Sequence, residues 1–384
     1  MGTKTLLDKL GSHLHRKREL GAKIVGKNRG LQVVLRQVVR RGQKFTGLRS
    51  VLNKSARRSV GFYDRGMPVF FIVGHARSGT TWLRTILNSH PEILCRGEGR
   101  FFERSFWWED FEESQLKNIP PSSLYGAILE SKYLKAWVDR SVWAGGEDTD
   151  KHLANLTRLA IDYFLAEQLS KTNKRIVGDK TPFASAEVVE DISVIYPDAK
   201  VIHIIRDGRD IAVSVIHHIW NYAKNEGGMY DLGPEELEKR YRYREGSMNL
   251  LAESLFTEER LADIARGWST KVRKATEDGP ILLGSNYAEV RYEDLLERPV
   301  EEVGRLLKFL GADSSEETAK RCVETTGFEL TSNRKRGQED SSSRSRKGVA
   351  GDWKNVFTEE DKGIFKENAG DLLVKLGYEE DNNW

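Results

Sequence analysis

Cysteine is almost missing from this chain. Its two thiols, Cys95 and Cys322, are too few for a disulfide framework and lack metal-ligand spacing. A disulfide-stapled scaffold is therefore excluded, and two buried or idle thiols in a reducing compartment are expected. Long apolar runs are missing as well: no uninterrupted stretch reaches the ~18 residues of a membrane span, and the N-terminus has no signal-peptide core. With a mean hydropathy of −0.55, the expectation is a soluble, cytoplasmic chain. Clustered metal ligands are also absent from the pattern. His217 and His218 are adjacent on an expected helix, where neighbours point ~100° apart, so they read as surface or packing histidines rather than a metal site. There is no internal repeat, and 384 residues with 39% hydrophobic side chains suffice for one large core.

Acidic residues are scarce at one end only. Residues 1–66 hold 17 Lys/Arg against three acids, Asp8, Glu19 and Asp64, which leaves 44 basic against 55 acidic side chains for residues 67–384. This division predicts a basic, partly helical arm over 1–66 and a single acidic domain over 67–384. Within the arm Leu31, Val34, Leu35 and Val38 fall at i, i+3, i+4, i+7 with Arg36, Arg40 and Arg41 nearby, the pattern of a basic amphipathic helix. Such a helix can make peripheral contact with an anionic membrane, dock on the acidic body of its own chain, or act as an organellar transit segment.

The most informative stretch runs from Pro68 to Leu83. Val69 to Val73 is a continuous apolar run, as in a strand buried on both faces of a parallel sheet. Gly74 and Gly79 bracket His75, Ala76, Arg77 and Ser78, the glycine spacing of a phosphate-binding loop. The lysine that should follow the second glycine is missing. Thr80 stands there, so the cation that an ATPase sets against its β- and γ-phosphates is absent, and Arg77 supplies one from inside the loop. Backbone amides and the positive end of the following helix remain. The loop suits an anion and is poorly made for a triphosphate with magnesium.

Strand and helix then alternate. A helix is predicted from Thr80 to His90, stopped by Pro91; strands at Ile176–Lys180, Val201–Ile205 and 286–292; helices from about Ser185 to Tyr196, from Asp210 to about Ala223, over Glu293 onward with 300–310, and after the N-cap Thr358. This rhythm predicts an α/β fold with a central parallel sheet flanked by helices in three layers. Two stretches break it. Residues 225–256, rich in glycine and tyrosine, are expected to be a helical lid insertion. Residues 332–348 are so polar that a mobile loop is expected.

Three segments carry a family likeness. Arg77-Ser-Gly-Thr-Thr81, Arg206-Asp-Gly-Arg-Asp-Ile-Ala-Val-Ser214 and Arg346-Lys-Gly-Val-Ala-Gly-Asp-Trp-Lys-Asn-Val-Phe-Thr358 resemble, in order, the nucleotide-binding motifs of sulfotransferases that use 3′-phosphoadenosine 5′-phosphosulfate (PAPS). The resemblance spans roughly residues 68–378 and implies a P-loop-like fold with PAPS as donor and no metal. It places Arg77, Ser78, Gly79, Thr80 and Thr81 around the 5′-phosphate, Arg206 and Ser214 on the 3′-phosphate with Arg346, Lys347 and Gly348 closing over it, and Tyr292 near the adenine. Trp353 would stack on the base or anchor its loop. Arginine at position 77 is similar to the tyrosylprotein and several carbohydrate sulfotransferases, whereas the cytosolic small-molecule enzymes carry lysine. Many carbohydrate sulfotransferases are membrane-anchored, and the missing apolar run disfavours that arrangement here.

The same likeness implies the catalytic groups. Lys180, in Gly178-Asp-Lys-Thr-Pro182, resembles a second catalytic cation. Pro182 stands where the small-molecule enzymes place a histidine base, so another base is required. His90 to Arg100 resembles the tyrosylprotein sulfotransferases around their catalytic glutamate, and Glu98 occupies the matching place; the alternative is an ion-pair role beside Arg100 or Arg77. The acceptor is less legible. Phe101, Phe102, Phe106, Trp107, Trp108 and Phe111, with Tyr133, Trp137 and Trp143, can hold an apolar, aromatic or sugar acceptor or pack a helical subdomain. The implied partner is a small-molecule, lipid or carbohydrate hydroxyl or amine and no nucleic acid, with a homodimer left open. A P-loop kinase and a non-catalytic nucleotide-binding scaffold are the competing readings.

Overall fold

The computed structural model describes residues 67–102, 123–146, 148–183, 186–223, 226–228, 230–250, 252–340, 343 and 346–384, all within the unit Gly61–Trp384. The expected basic arm and the aromatic run Phe106–Phe111 lie outside the described residues. In chain order the elements are β1 (Val69–Gly74), α1 (Thr80–Ser89), β2 (Ile93–Gly97), α2 (Leu124–Glu130), α3 (Lys132–Arg140), α4 (Thr149–Leu169), β3 (Ile176–Pro182), α5 (Val188–Ile195), β4 (Lys200–Ile205) and α6 (Gly208–Asn221). They continue with α7 (Pro234–Arg244), α8 (Glu258–Leu283), β5 (Tyr287–Arg291), α9 (Tyr292–Glu297), α10 (Pro299–Leu310), α11 (Glu316–Glu324), α12 (Phe328–Ser332) and α13 (Glu359–Lys375).

The five strands form one parallel sheet in the order β2-β3-β1-β4-β5. β1 is central because it is apolar on both sides: Phe70, Phe71, Ile72 and Val73 are all fully buried. The alternation of side chains across the pleat sends Phe71, Val73, Val177 and Val201 to one face, against α4, α5 and α8. Phe70, Ile72, Ile202 and Ile204 point to the other, against α1, α9 and α10. A third cluster, built on Trp268 and Phe365, joins α6, α8 and α13. The last helix begins at a capping box: Thr358 accepts from the Asp361 amide at 3.1 Å, and the Asp361 carboxylate accepts from the Thr358 amide at 2.9 Å.

Several expectations shift. α5 starts at Val188 rather than near Ser185, and α6 starts at Gly208 because Asp207 caps it. The 286–292 strand ends at Arg291, since Tyr292 already opens α9. Of the insertion 225–256, the helical part is α7, whose first turn carries Glu235 and Glu236 behind Pro234. None of the described residues of the 332–348 loop is buried, and its charges pair locally. Arg346 is paired with Glu339 and Asp352, and Lys347 with the same two acids, so local charge neutralisation replaces the missing apolar surface. Cys95 and Cys322 are buried and free. No helix of the described residues is long and apolar enough to cross a membrane.

Candidate active site

The topology brings the phosphate loop, Glu98, Lys180, Arg206 and Tyr292 to one edge. The phosphate loop follows β1, Glu98 follows β2, Lys180 lies at the end of β3, Arg206 follows β4 and Tyr292 follows β5. Carboxyl ends of parallel strands, where connections diverge to either side of a central strand, are where open α/β sheets bind ligands.

Close packing fixes the shape of the loop. Gly79, at φ +98°, caps α1, and a Cβ there would come within 2.6 Å of the Tyr292 ring. Arg77 adopts φ +70° without being glycine, a conformation that costs roughly 1–3 kcal/mol and persists only where neighbours impose it. The neighbours are visible. Arg77 Nε donates to Ser214 Oγ at 3.0 Å, and the Arg77 carbonyl accepts from Arg206 Nη1 at 3.1 Å. Arg206 Nη2 also donates to the Val349 carbonyl at 3.0 Å, and its guanidinium lies 4.3 Å above the Tyr292 ring. Tyr292 is thus the floor under the loop and under Arg206.

Two donors of this region are buried without a partner, Ser78 Oγ and Arg206 Nε. Buried polar groups are normally satisfied, so a pair of orphaned donors around a phosphate loop fits an anionic oxygen. His75 in the same loop is held neutral by burial, its pKa lowered to about 4, so the loop's side-chain cation is Arg77. Trp82, to which the sequence reading assigned no role, is a third such group: its Nε1 is buried without a partner, and its ring meets Tyr292 edge-on at 5.8 Å. Its place directly after Thr81 was the available signal.

The ends of β2 and β3 form a second cluster. β3 pairs with both neighbours, so Lys180 sits between Ile72 and Gly97 with its side chain only 8% exposed. Its ammonium donates to Thr81 Oγ1 at 3.3 Å and to the Glu98 carboxylate. Glu98 is 53% exposed and stands at φ +58°, followed by Arg100 at φ +49°. Two bonds from the end of β3 hold this strained turn: the Glu98 amide donates to the Lys180 carbonyl at 2.9 Å, and the Gly99 amide donates to Asp179 Oδ1 at 3.1 Å. Asp179 also accepts from Thr181 Oγ1 at 2.9 Å. Burial pushes the Asp179 carboxyl up to about 7, against the opposing pull of these two hydrogen bonds and of Lys180. Asp179 is not legible in the sequence, because nothing in Gly178-Asp-Lys marks which polar residue turns inward.

The second and third motifs meet at α6. Asp207 caps the helix, and Asp210 in its first turn accepts from the Gly351 and Trp353 amides at 2.7 and 3.0 Å, tying down the third-motif loop. Gly348 turns at φ +67°, where a Cβ would meet the Phe328 ring at 2.4 Å. Arg77, Ser214 and Arg346 line one cleft with His217 and His218. Lys347 is not part of that wall: its ammonium lies 3.0 Å from Asp352 and 3.1 Å from Glu339. Trp353 anchors its loop, buried with the Arg209 guanidinium 3.8 Å above its ring. Of the aromatic candidates, Phe101 and Phe102 belong to the core beside Phe71, whereas Tyr133, Trp137 and Trp143 are exposed on the surface. Among the described residues no group of three or more His, Cys, Asp or Glu side chains gathers to hold a metal ion.

A parallel sheet with a lysine-free phosphate loop, arginines aimed at it from two later motifs and a lysine–glutamate pair at the adjoining strand ends defines a P-loop-like α/β protein. The chain belongs to the sulfotransferase family: the profile of the sulfotransferase domain matches residues 68–377. Among proteins it is similar to are human protein-tyrosine sulfotransferase 1, 26% identical over 177 residues (44% of this chain, 40% of the relative), and dog sulfotransferase 1B1, 29% identical over 172 residues (42% and 50%). The chain thus matches two-fifths to one-half of the length of these relatives. A mouse sulfotransferase, SULT7A1, solved in complex with PAP, aligns at a TM-score of 0.43 and 18% identity over 80% of this chain and 84% of that one.

Proposed function

We propose that this chain transfers a sulfuryl group from PAPS to a hydroxyl or amine of a small-molecule, lipid or carbohydrate acceptor, with Glu98 as base. The observation that carries the reading is the juxtaposition, along one sheet edge, of an arginine-bearing phosphate loop with the Lys180–Glu98 pair. The donor supplies an activated SO₃ group on a phosphate leaving group. Ser78, Thr80, Thr81 and the loop amides wrap its 5′-phosphate, Arg206 and Ser214 hold its 3′-phosphate, and Arg346 and Gly348 close that end, with Lys347 held back by its two acids.

Arg77 neutralises negative charge on the sulfuryl oxygens as it develops. Glu98 takes the acceptor proton while the acceptor oxygen forms its bond to sulfur and the sulfur–oxygen bond to phosphate breaks, its electron pair staying on phosphate. Proton arrival discharges Glu98, which releases the Lys180 ammonium to balance the charge on the departing phosphate. Lys180 therefore serves the two anions in turn.

The test is incubation with radiolabelled PAPS and a panel of phenols, sterols, sugars, glycolipids and tyrosine peptides. Sulfated product with stoichiometric 3′,5′-adenosine bisphosphate is expected. Tight binding of that bisphosphate without transfer to any acceptor would reduce the chain to a nucleotide-binding scaffold, and hydrolysis of ATP with magnesium would overturn the donor assignment.

A further inference from the structure

His217 lies one turn beyond Ser214 on α6 and is 4% exposed. It packs against Trp220 and Tyr243, with ring centroids 5.5 and 4.9 Å away, yet its Nε2 is buried without a hydrogen-bond partner. His217 lines the cleft shared by Arg77, Ser214, His218, Tyr222 and Arg346. The cleft is tight, with about 10 Å³ of free space, so a phosphate can enter only as the side chains of its wall part.

The charges around the imidazole explain why it stays neutral and what would change that. Arg346 and Lys347, from the third-motif loop, repel a proton, and Glu339 and Asp352, from the same region, attract one. Arg77 and His218 face the cleft from the phosphate loop and from α6 itself, and Tyr243, on α7, donates to Glu339 at 2.7 Å. Burial dominates and holds His217 at about 3. Glu339 Oε1 stands 4.0 Å from Nε2 but is already engaged by Arg346 at 3.0 Å, while Lys347 holds the other oxygen, Oε2, at 3.1 Å. A phosphate entering the cleft would neutralise Arg346, which lines it, and compete with Glu339 for that guanidinium. The carboxylate would then be left facing the imidazole.

We propose that His217 is a proton-coupled positioning residue: it takes up a proton when a donor phosphate fills the Arg77–Ser214–Arg346 cleft, donates Nε2–H into the anionic pocket so formed, and makes nucleotide affinity rise toward acid pH. The inference rests on the donor reading above. A neutral histidine whose pKa rises on binding strengthens binding as pH falls through its bound-state value, by up to about tenfold per pH unit, the limit for one proton.

Calorimetric titration of the full chain with 3′,5′-adenosine bisphosphate, in buffers of different ionisation enthalpy between pH 6 and 8, counts the protons exchanged. Wild type is expected to take up as much as one proton more than His217→Gln, and its affinity relative to that variant should climb as pH falls. His218→Gln should exchange protons like wild type. Histidine NMR on the wild type covers the case of a misfolded variant: the His217 resonance should titrate in the complex and not in the free protein. Equal proton exchange by wild type and a folded His217→Gln, or a His217 resonance unchanged by the ligand, overturns this inference while leaving the donor site standing. Failure of wild type to bind the bisphosphate at any pH overturns the donor reading and this inference with it.

Discussion

Asp179 carries a cost that its neighbours do not remove. Its carboxyl is raised from 3.8 to about 7 by burial, so from pH 4 to 7 the unfolded chain gives up a proton that the native chain keeps. Native stability is therefore lost as pH rises through that window, by on the order of 4 kcal/mol at ~1.4 kcal/mol per unit. Asp179→Asn keeps an oxygen for the Gly99 amide and removes the charge. Chemical denaturation should show the variant gaining on wild type between pH 5 and pH 8; an equal difference at both would mean that Asp179 ionises like an exposed carboxyl. Arg77 illustrates the opposite economy, a strained backbone retained for what its side chain reaches. Arg77→Ala should lower turnover by roughly 10²-fold, the scale for one preorganised charge stabiliser, with an unchanged melting temperature within a degree or so. A variant turning over at the wild-type rate would remove Arg77 from the charge-stabilising role. Arg77 was legible in the sequence because the glycines on either side announce the loop, whereas Asp179 was not, since burial at a strand end is decided by the two strands that flank it.

At the scale of elements, Arg206 does more than its motif implies. It joins the first-motif loop, through the Arg77 carbonyl, to the third, through the Val349 carbonyl, and still keeps an orphaned Nε. Arg206→Ala should raise the donor KM more than it lowers turnover, because phosphate contacts exist before and during transfer. Unchanged donor affinity by calorimetry would detach the second motif from the nucleotide. The elements that were legible share a cause: β1 and most of β4 are buried on both faces and read as apolar runs, and β3 opens on the buried Ile176 and Val177 before its polar end. β2 was missed because it is a short edge strand whose last residues, Arg96 and Gly97, are exposed. The 26-residue α8 was missed because its buried Leu261, Ala265, Trp268 and Val272 are diluted by charged neighbours, and Pro280 near its end argues locally against a helix. The ion pairs and hydrogen bonds of the 332–348 loop, Glu339 with Tyr243 and Arg346 with Asp352, were not legible because they depend on contacts that composition does not display.

For the molecule as a whole, five strand ends deliver cations, hydroxyls and one exposed carboxylate to a single edge, while the described body carries an excess of acid elsewhere. The central claim is that this edge moves a sulfuryl group and a proton together. Single-turnover transfer from radiolabelled PAPS to an alcohol acceptor, followed against pH in wild type and Glu98→Gln, tests it most directly. Wild-type rate should fall on the acid side, and the variant should be slower by about 10² to 10⁴ and lose that limb, with bisphosphate affinity nearly unchanged. Transfer by Glu98→Gln at the wild-type rate with the acid limb intact would contradict the account.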